Sequence, residues 1–391
     1  MSSPINDAPA AGRSAGGAVV IAPDKFKGSL AAPQVAGHIA AGLRRVHPEL
    51  PFRLAPIADG GDGMLEAVAA QGFALHHAVV HGPTGEPITA GFGRRGGTAV
   101  IELAEASGLR RLPRGRLEPL TASSRGTGDL VRAALDAGCE QIIIGLGGSA
   151  STDGGAGLLQ ALGVRLLDRA GHELGPGGEA LAGLHAVDLG GLDPRLGPDG
   201  SARVMLASDV DNPLLGPNGA AVVYAPQKGA DAAAVDRLEV CLRRWAEVLA
   251  AATGEDHAAE PGAGAAGGVG FAALAGLAAQ RRPGIELILD LIGFEQLLPG
   301  ARLVITGEGS LDRQSLNGKA PVGVATAAAR HGLPTVAVAG RCLLSADELR
   351  AGGLRAGYGL TSLEPDVAVC LAEAGRLLEE LVATVLAPAW L

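Results

Sequence analysis

The sequence is short of aromatic residues, of lysine and of cysteine, and it carries more acidic than basic side chains. Aromatic residues make up 3% of its 391 residues, and the formal net charge is −9. Proteins that bind nucleic acid need basic surface and aromatic rings that stack on the bases. We therefore expect no nucleic-acid partner.

The four cysteines are widely separated. Cys139, Cys241, Cys342 and Cys370 form no CxxC pair and have no histidine at metal-ligand spacing, so neither a zinc site nor a disulfide framework is predicted. No apolar run approaches the roughly 20 residues of a membrane span. Residues 1–17 lack the apolar segment of a signal peptide. We expect a cytoplasmic protein without a membrane partner, beginning with a disordered tail over residues 1–17.

Several familiar catalytic motifs are missing. The sequence has no Walker-type GxxxxGK[ST], no HRD or DFG triplet of the protein kinases, and no GxSxG of the α/β-hydrolases. A hydrolase triad is therefore not supported. A kinase activity would have to belong to neither of the two commonest kinase classes.

Glycine fingerprints carry little information in this chain. With 61 glycines in 391 residues, GxGxxG is expected by chance about once or twice. The match at Gly91 lies inside a predicted hairpin, and the match at Gly262 follows no strand. A GxGxxA match at Gly145 does follow a strand, and Asp168 stands where a ribose-binding acid is expected. The alternative function is therefore an NAD-dependent oxidoreductase, although STDGGAG separates this match from the next helix.

Strands and helices alternate at both ends of the chain but not in the middle. The pattern strand, helix, strand begins at Val19 and returns after Arg302. Near residue 75 it gives way to short alternating strands, two of them joined in a hairpin across Gly96 and Gly97. We predict an α/β protein with a doubly wound, Rossmann-like domain over residues 18–74 and 285–391, into which a second α/β domain over residues 75–284 is inserted.

Two apolar strands end abruptly in glycine, serine and acidic residues, at residues 145–157 and 204–230. Because the strand ends of an open α/β sheet carry its chemistry, we predict that both form walls of an active site. Asp209 and Asp211 are two residues apart and should point to the same side, where they could bind Mg²⁺ or accept a hydroxyl proton. For any one of them, a capping or turn role is the alternative.

Lysine is used sparingly. Only four of the 32 basic residues are lysine, and all four lie in glycine-bearing loops near strand ends: Lys25, Lys27, Lys228 and Lys319. In a chain that otherwise uses arginine, a retained lysine indicates a position where a compact charge meets a phosphate or a small carboxylate. The alternatives are coincidence and a packed aliphatic stem.

Ten motifs follow one another from about Val19 to the C-terminus: APDKFKGSL, PIADGGDG, AVIELAEASGL, TASSRGTGDL, IIIGLGGSASTDGGAG, ASDVDNPLLGPNGAA, APQKGA, PGAGAAGGVGF, VITGEGSLDRQSLNGKAPVGVA and VAVAGR. Together they resemble the bacterial glycerate kinase family. The resemblance implies a fold of two α/β domains and the ATP-dependent phosphorylation of D-glycerate with Mg²⁺. The favoured product is 2-phosphoglycerate rather than 3-phosphoglycerate. A homo-oligomer is left open.

Phosphoryl transfer depends on positioning and charge neutralisation, and the resemblance suggests which residues supply them. We expect Asp209 to be the catalytic base, Lys25 to assist it, and Asp211 to bind the metal. The loop before the next helix is expected to bind phosphate through Gly147, Gly148, Ser149, Asp153 and Gly154. The residues expected to bind substrate are Lys27, Ser29, Asp59, Lys319 and Arg341.

The sequence departs from the family pattern at two places. Lys25 stands where serine is frequent, and Ser151, Thr152 and Asp153 stand where a Thr-Asn-Asp run is usual. Both places belong to the expected site. They therefore bear on substrate preference and not on the class of reaction.

Overall fold

The computed structural model describes residues 17–113, 116–316 and 318–391. Apart from residue 17, the tail predicted over residues 1–17 lies outside them. The strands within the described residues are β1 Ala18–Pro23, β2 Phe52–Leu54, β3 Ala74–His81, β4 Pro87–Arg95, β5 Thr98–Glu102, β6 Gln141–Gly145, β7 Arg165–Leu167, β8 Ala186–Asp188, β9 Arg203–Ala207, β10 Gln280–Arg282, β11 Ala301–Leu311, β12 Thr335–Cys342 and β13 Ala356–Gly359.

The α-helices lie mostly between strands, and a π-helix over Val382–Leu386 precedes the last one. They are α1 Ala32–Val46, α2 Met64–Ala69, α3 Leu103–Ser107, α4 Arg125–Asp136, α5 Ala156–Ala161, α6 Ala220–Tyr224, α7 Ala232–Thr253, α8 Ala265–Leu277, α9 Gly284–Leu291, α10 Ala320–Arg330, α11 Ala346–Ala351, α12 Val367–Ala372, α13 Ala374–Leu381 and α14 Ala387–Trp390.

The chain divides into two compact units. Unit 1 comprises the described part of Met1–Asp59, with Glu66–Gln71 and Ile285–Leu391, and unit 2 comprises Gly60–Leu65 and Gly72–Gly284. The α/β class predicted from the sequence is confirmed. The predicted domain boundaries remain a proposal, because a domain is defined by folding on its own and not by its contacts alone.

Unit 1 contains a five-stranded sheet in the order β13-β12-β11-β1-β2, with all neighbours parallel. Along the chain, β2 is added on one side of β1, and β11, β12 and β13 are added on the other. The strand-helix-strand start predicted from Val19 is confirmed by the parallel pairing of β1 and β2. The order is one of the two common doubly wound arrangements, and it places a topological switch point between β1 and β11.

Helices cover both faces of the unit 1 sheet, as the burial of alternate residues of β12 shows. Val336 and Val338 pack in one cluster with α1 and α13, while Ala337 and Ala339 pack in another with residues of α10 and α11. Successive strand residues point to opposite faces, so each face has its own apolar layer.

Unit 2 contains a six-stranded sheet in the order β10-β9-β6-β5-β4-β3. Strands β5, β6, β9 and β10 are parallel, whereas β3, β4 and β5 are antiparallel. The hairpin predicted across Gly96 and Gly97 is confirmed, because Arg95 pairs with Thr98. Parallel strands end at one edge of a sheet, so the residues that follow β5, β6 and β9 leave from the same edge.

Two glycines of α1 give a test of the packing in unit 1. A Cβ atom at Gly42 would lie 2.7 Å from the carbonyl oxygen of Glu379 and 2.8 Å from Cβ of Val382, whereas a Cβ atom at Gly37 would meet nothing within 4 Å. We expect Gly42→Ala to lower the free energy of unfolding by about 1–3 kcal/mol through overpacking.

Gly37→Ala is the matched control. It should raise the free energy of unfolding by up to about 1 kcal/mol, because alanine is the better helix former. Urea unfolding followed by circular dichroism measures both changes. An equal effect of the two substitutions would contradict the close approach of α1 to α13.

Candidate functional site

The chain that leaves β1 in unit 1 carries the first group of predicted site residues. Asp24 follows β1 directly, and its backbone N–H donates to the carbonyl of Gly307 in β11 at 2.8 Å. The residues that follow lie beside the switch point between β1 and β11, where doubly wound folds bind their ligands. A turn through Gly28, with φ +81°, then leads to α1.

The Asp24 carboxyl group is buried, with 6% of the residue exposed. Its Oδ1 accepts the backbone N–H of Lys25 at 2.7 Å and lies 3.8 Å from Lys25 Nζ. Burial raises the pKa of Asp24 to about 7; the Lys25 ammonium opposes the shift, and the negative charges of Asp59 and Glu308 add to it. A carboxyl group with such a pKa can exchange a proton near neutral pH.

Glu308, in β11, is the second perturbed acid of unit 1. Burial raises its pKa, against the effects of a hydrogen bond from Ser315 and the charge of Lys319. Its Oε1 is buried and has no hydrogen-bond partner among the described residues. The sequence analysis gave neither Asp24 nor Glu308 a role. The signal it lacked was their burial.

The structure brings some of the predicted residues of unit 1 together and not others. Lys25 and Asp59 act on Asp24, and Lys319 acts on Glu308. Lys27 is exposed in the turn. The hydroxyl of Ser29 donates to the carbonyl of Leu371 at 2.9 Å, and Arg341 Nε donates to Ser310 Oγ at 3.2 Å.

In unit 2, the loop after β6 contains three successive backbone amides that have no acceptor among the described residues: those of Gly147, Gly148 and Ser149. The loop is fixed by neighbouring groups, because the Gly148 carbonyl accepts the N–H of Leu109 and the N–H of Ala150 donates to Ser107. Gly148 has φ +67°. Open amide donors on a fixed backbone are the arrangement that binds a phosphate or carboxylate group.

The second half of the loop, which includes Asp153 and Gly154, points into the interior of unit 2. Asp153 is fully buried, and its Oδ2 accepts the N–H and the hydroxyl of Ser124, both at 2.8 Å, and the N–H of Gly157 at 3.3 Å. The N–H of Gly154 donates to Gly267 at 3.0 Å, and the Gly154 carbonyl accepts Nε1 of Trp245 at 2.8 Å. Asp153 and Gly154, predicted to bind phosphate, therefore hold the loop in place.

A lysine lies beneath this loop. Lys228 is buried, and its Nζ donates to Ser149 Oγ at 2.8 Å and to the carbonyl of Ser151. Burial lowers its pKa to about 7, opposed by the charge of Asp153. The lysine count had singled out Lys228, but no role was assigned to it.

Asp209 and Asp211 follow β9, at the same edge of the sheet. Asp209 Oδ1 accepts the N–H of Gly284 at 2.9 Å, and Asp211, whose side chain is 76% exposed, pairs with Arg281 at 2.8 Å. No group of three or more His, Cys, Asp or Glu side chains that could hold a metal occurs within residues 17–113, 116–316 and 318–391. The hard carboxylate oxygens of this pair still suit Mg²⁺, which is bound by one or two carboxylates together with phosphate oxygens and water.

The NAD fingerprint does not have its required context. Strand β7, which precedes Asp168, pairs antiparallel with β8 in a separate two-stranded sheet. The Asp168 carboxylate accepts the N–H groups of Ala170 at 2.8 Å and His172 at 2.9 Å, and the bond from His172 is the main cause of its lowered pKa. Asp168 is a turn residue, because its oxygens close a local loop.

None of the helices in the described ranges is both long and apolar enough to cross a membrane.

Comparison with known proteins identifies relatives over nearly the whole chain. The model of the glycerate kinase family matches residues 19–389. The chain is 47% identical over 325 residues to a glycerate kinase of Bacillus subtilis (strain 168), covering 82% of this chain and 84% of the relative. It is 46% identical over 325 residues to the glycerate 2-kinase of Escherichia coli (strain K12), again covering 82% and 84%. The crystal structure of a candidate glycerate kinase 2 from Salmonella typhimurium LT2 matches with a TM-score of 0.82 and 42% identity, covering 95% of this chain and 99% of that one.

The raised pKa of Asp24 predicts how stability depends on pH. Between the ordinary value of 3.8 and about 7, the folded state keeps a proton that the unfolded state releases. The free energy of unfolding should therefore fall by on the order of 2–4 kcal/mol as the pH rises through this window, because each pKa unit is worth about 1.4 kcal/mol. Asp24→Asn stays neutral at every pH and should lose most of this dependence.

Denaturant unfolding at pH 5 and pH 8 measures the effect, and Asp347→Asn, at an exposed position in α11, is the control. The control should keep the pH dependence of the unaltered protein. The same pH dependence in Asp24→Asn would show that the Asp24 carboxyl group is not the group that titrates.

Proposed function

We propose that this chain, which belongs to the glycerate kinase family and is a kinase, transfers the γ-phosphoryl group of ATP to D-glycerate, with Mg²⁺ as its metal cofactor. The observation that carries the proposal is the loop with three open amides, Gly147 to Ser149, above the buried Lys228. Donors of this kind neutralise phosphate charge without covalent chemistry, which is what phosphoryl transfer needs.

The phosphate-binding part of the proposal divides the loop by function. Gly147, Gly148 and Ser149 supply the backbone N–H groups that meet phosphate oxygens. Asp153 and Gly154 act as positioning residues, because their hydrogen bonds are already made inside unit 2. A fixed loop avoids the cost of reorganising donors at the moment of reaction.

We assign Asp209 as the base that accepts the proton of the glycerate hydroxyl. Its Oδ1 is held by the N–H of Gly284, so the carboxylate has a fixed direction, as a general base requires. Asp211 is proposed to bind Mg²⁺, and Arg281 orients it at 2.8 Å. When bound, the cation neutralises charge on the phosphate oxygens.

Residues of unit 1 are proposed to bind the organic acid. Lys25, Lys27, Lys319 and Arg341 supply positive charge and N–H donors suited to a carboxylate or a phosphoryl oxygen. Asp59 and Ser29 offer oxygens that hydrogen-bond to hydroxyl groups. Lys25 is proposed to assist catalysis directly, beside the buried Asp24.

The product is proposed to be 2-phosphoglycerate, in keeping with the name of the Escherichia coli relative. A cytoplasmic location is proposed as well. Its support is that all four cysteines are free thiols, as is usual in a reducing compartment.

Calorimetric titration with ATP and Mg²⁺, and separately with NADH, tests the reaction class. We expect ATP to bind and NADH not to bind, because Asp168 is unavailable for a ribose. A turnover assay with D-glycerate should yield a phosphate ester, and phosphorus NMR of the product distinguishes the 2- from the 3-isomer. Binding of NADH without ATP, or the absence of D-glycerate turnover, would contradict the proposal.

The role of Asp209 can be measured by substitution. Asp209→Asn should lower kcat by about 10²-fold or more and leave the KM for glycerate little changed, because a general base acts in the transition state and not in substrate binding. Asp199→Asn, at an exposed position in the loop before β9, should leave kcat unchanged. A folded Asp209→Asn variant with near-normal kcat would remove Asp209 from the base role.

A further inference from the structure

Lys228 is unusual because a whole lysine side chain lies inside unit 2. It ends a short 3₁₀ turn, Pro226–Lys228, and only 1% of the residue is exposed. Lysine is almost never fully buried unless its charge is paired, since moving an ammonium group out of water is costly. A lysine in this position therefore needs a reason beyond packing.

The ammonium group has neutral partners. Its Nζ donates to Ser149 Oγ at 2.8 Å and to the carbonyl of Ser151. Within the parts of the chain that the structure describes, no carboxylate oxygen forms an ion pair with it. Asp153 is the charge that acts on it, but the oxygens of Asp153 are taken up by Ser124 and by backbone N–H groups. The positive charge is therefore only partly compensated.

The space around Nζ is built for this side chain. A Cβ atom at Gly267, which has φ +71°, would lie 2.8 Å from Lys228 Nζ and 2.2 Å from the carbonyl oxygen of Ser151. Any larger residue at 267 would collide with both groups. Lys228 Nζ is thus confined to one position, from which it holds Ser149 and Ser151 of the loop after β6 by hydrogen bonds.

Other groups around this loop lack an acceptor. Because Ser149 Oγ accepts a hydrogen bond from Lys228, its own hydroxyl hydrogen is left to donate elsewhere. The amides of Gly147, Gly148 and Ser149 have no acceptor among the described residues. The hydroxyl groups of Ser151 and Thr152 are fully buried and, on the same basis, have no hydrogen-bond partner.

We infer that Lys228 is the buried counter-charge for a phosphate group of the nucleotide bound at Gly147 to Ser149, and that it positions Ser149 to donate to that phosphate. The inference rests on the proposed function, which requires a nucleotide. It adds Lys228 as a positioning residue, which orients Ser149 towards the phosphate by a hydrogen bond and attracts the phosphate by its positive charge.

Proton uptake follows from this arrangement. Burial lowers the pKa of Lys228 to about 7, and Asp153 opposes the shift. Asp153 is the titratable group that acts on it, while the other groups around Nζ, on Ser149, Ser151 and Gly267, do not titrate. A bound phosphate favours the charged ammonium and raises its pKa. Above pH 7 the free protein therefore lacks this proton on most molecules, so phosphate binding should take up protons at pH 8.

Calorimetric titration of the full chain with ADP and Mg²⁺, in two buffers of different ionisation enthalpy, measures the protons taken up. We expect uptake at pH 8 that declines towards pH 6. Lys228→Met should abolish the uptake and weaken ADP binding by about tenfold or more, since a charge-assisted contact is lost. Arg237→Met, which removes an exposed positive charge from α7, should keep both the uptake and the affinity.

A folded Lys228→Met variant with unchanged uptake and affinity would overturn the inference. If that variant does not fold, the pH series on the unaltered protein decides, because ADP binding without uptake at pH 8 overturns the inference equally. If protons are taken up on binding of D-glycerate instead of ADP, and this uptake depends on Lys228, then Lys228 is not the counter-charge of a nucleotide phosphate and the inference is overturned. Failure of the unaltered protein to bind ADP or ATP would overturn the proposed function and the inference with it, whereas binding and turnover without uptake would overturn the inference alone.

Discussion

The loop after β6 depends on one buried carboxylate. Asp153 has no exposed surface, and its oxygens accept hydrogen bonds from the start of α4 and from the loop itself. A buried charge without such donors would be strongly destabilising, so these bonds must form together. They join Ser124 to the beginning of α5 and turn the second half of the loop inward. The amides of residues 147–149 are left without an acceptor among the described residues.

Burial shifts the pKa of one ionisable group in each unit, upwards in unit 1 and downwards in unit 2, and both values come to lie near 7. In unit 1 it raises the pKa of an acid, Asp24, to about 7. In unit 2 it lowers the pKa of a base, Lys228, to about 7. Each unit therefore holds a buried group that can change its charge near neutral pH. Groups perturbed in this way are more frequent at functional sites than elsewhere, which supports the proposed roles of the chain after β1 and of the loop after β6.

Local patterns in the sequence predicted much of the fold. The strand, helix, strand start and the hairpin at Gly96 follow from spacing within a few residues, and both are confirmed. The short strands β10 and β13 were missed, because three or four residues carry no measurable period. The NAD fingerprint was misleading because a local match does not specify which sheet the next strand joins.

The candidate site shows where sequence reasoning stops. Counting lysines drew attention to Lys228, but its partner Ser149 lies 79 residues away along the chain. Neither the burial of Lys228 nor the inward turn of Asp153 has a local signature, because both result from long-range packing. The rarity of lysine can therefore point to a position of interest, but it does not show whether the side chain there is buried or what it contacts.

The same contacts explain why position 228 holds lysine in a chain that mostly uses arginine. A Cβ atom at Gly267 would lie 2.8 Å from Nζ, so the absence of a side chain at position 267 leaves the room that the ammonium group occupies. A guanidinium group is wider, carries five N–H donors in a fixed plane and keeps its proton throughout the physiological range. It would need more acceptors than Ser149 and Ser151 provide, and its charge could not respond to a ligand. Compared with arginine, lysine at position 228 has a smaller charged group and a pKa that the surroundings can shift.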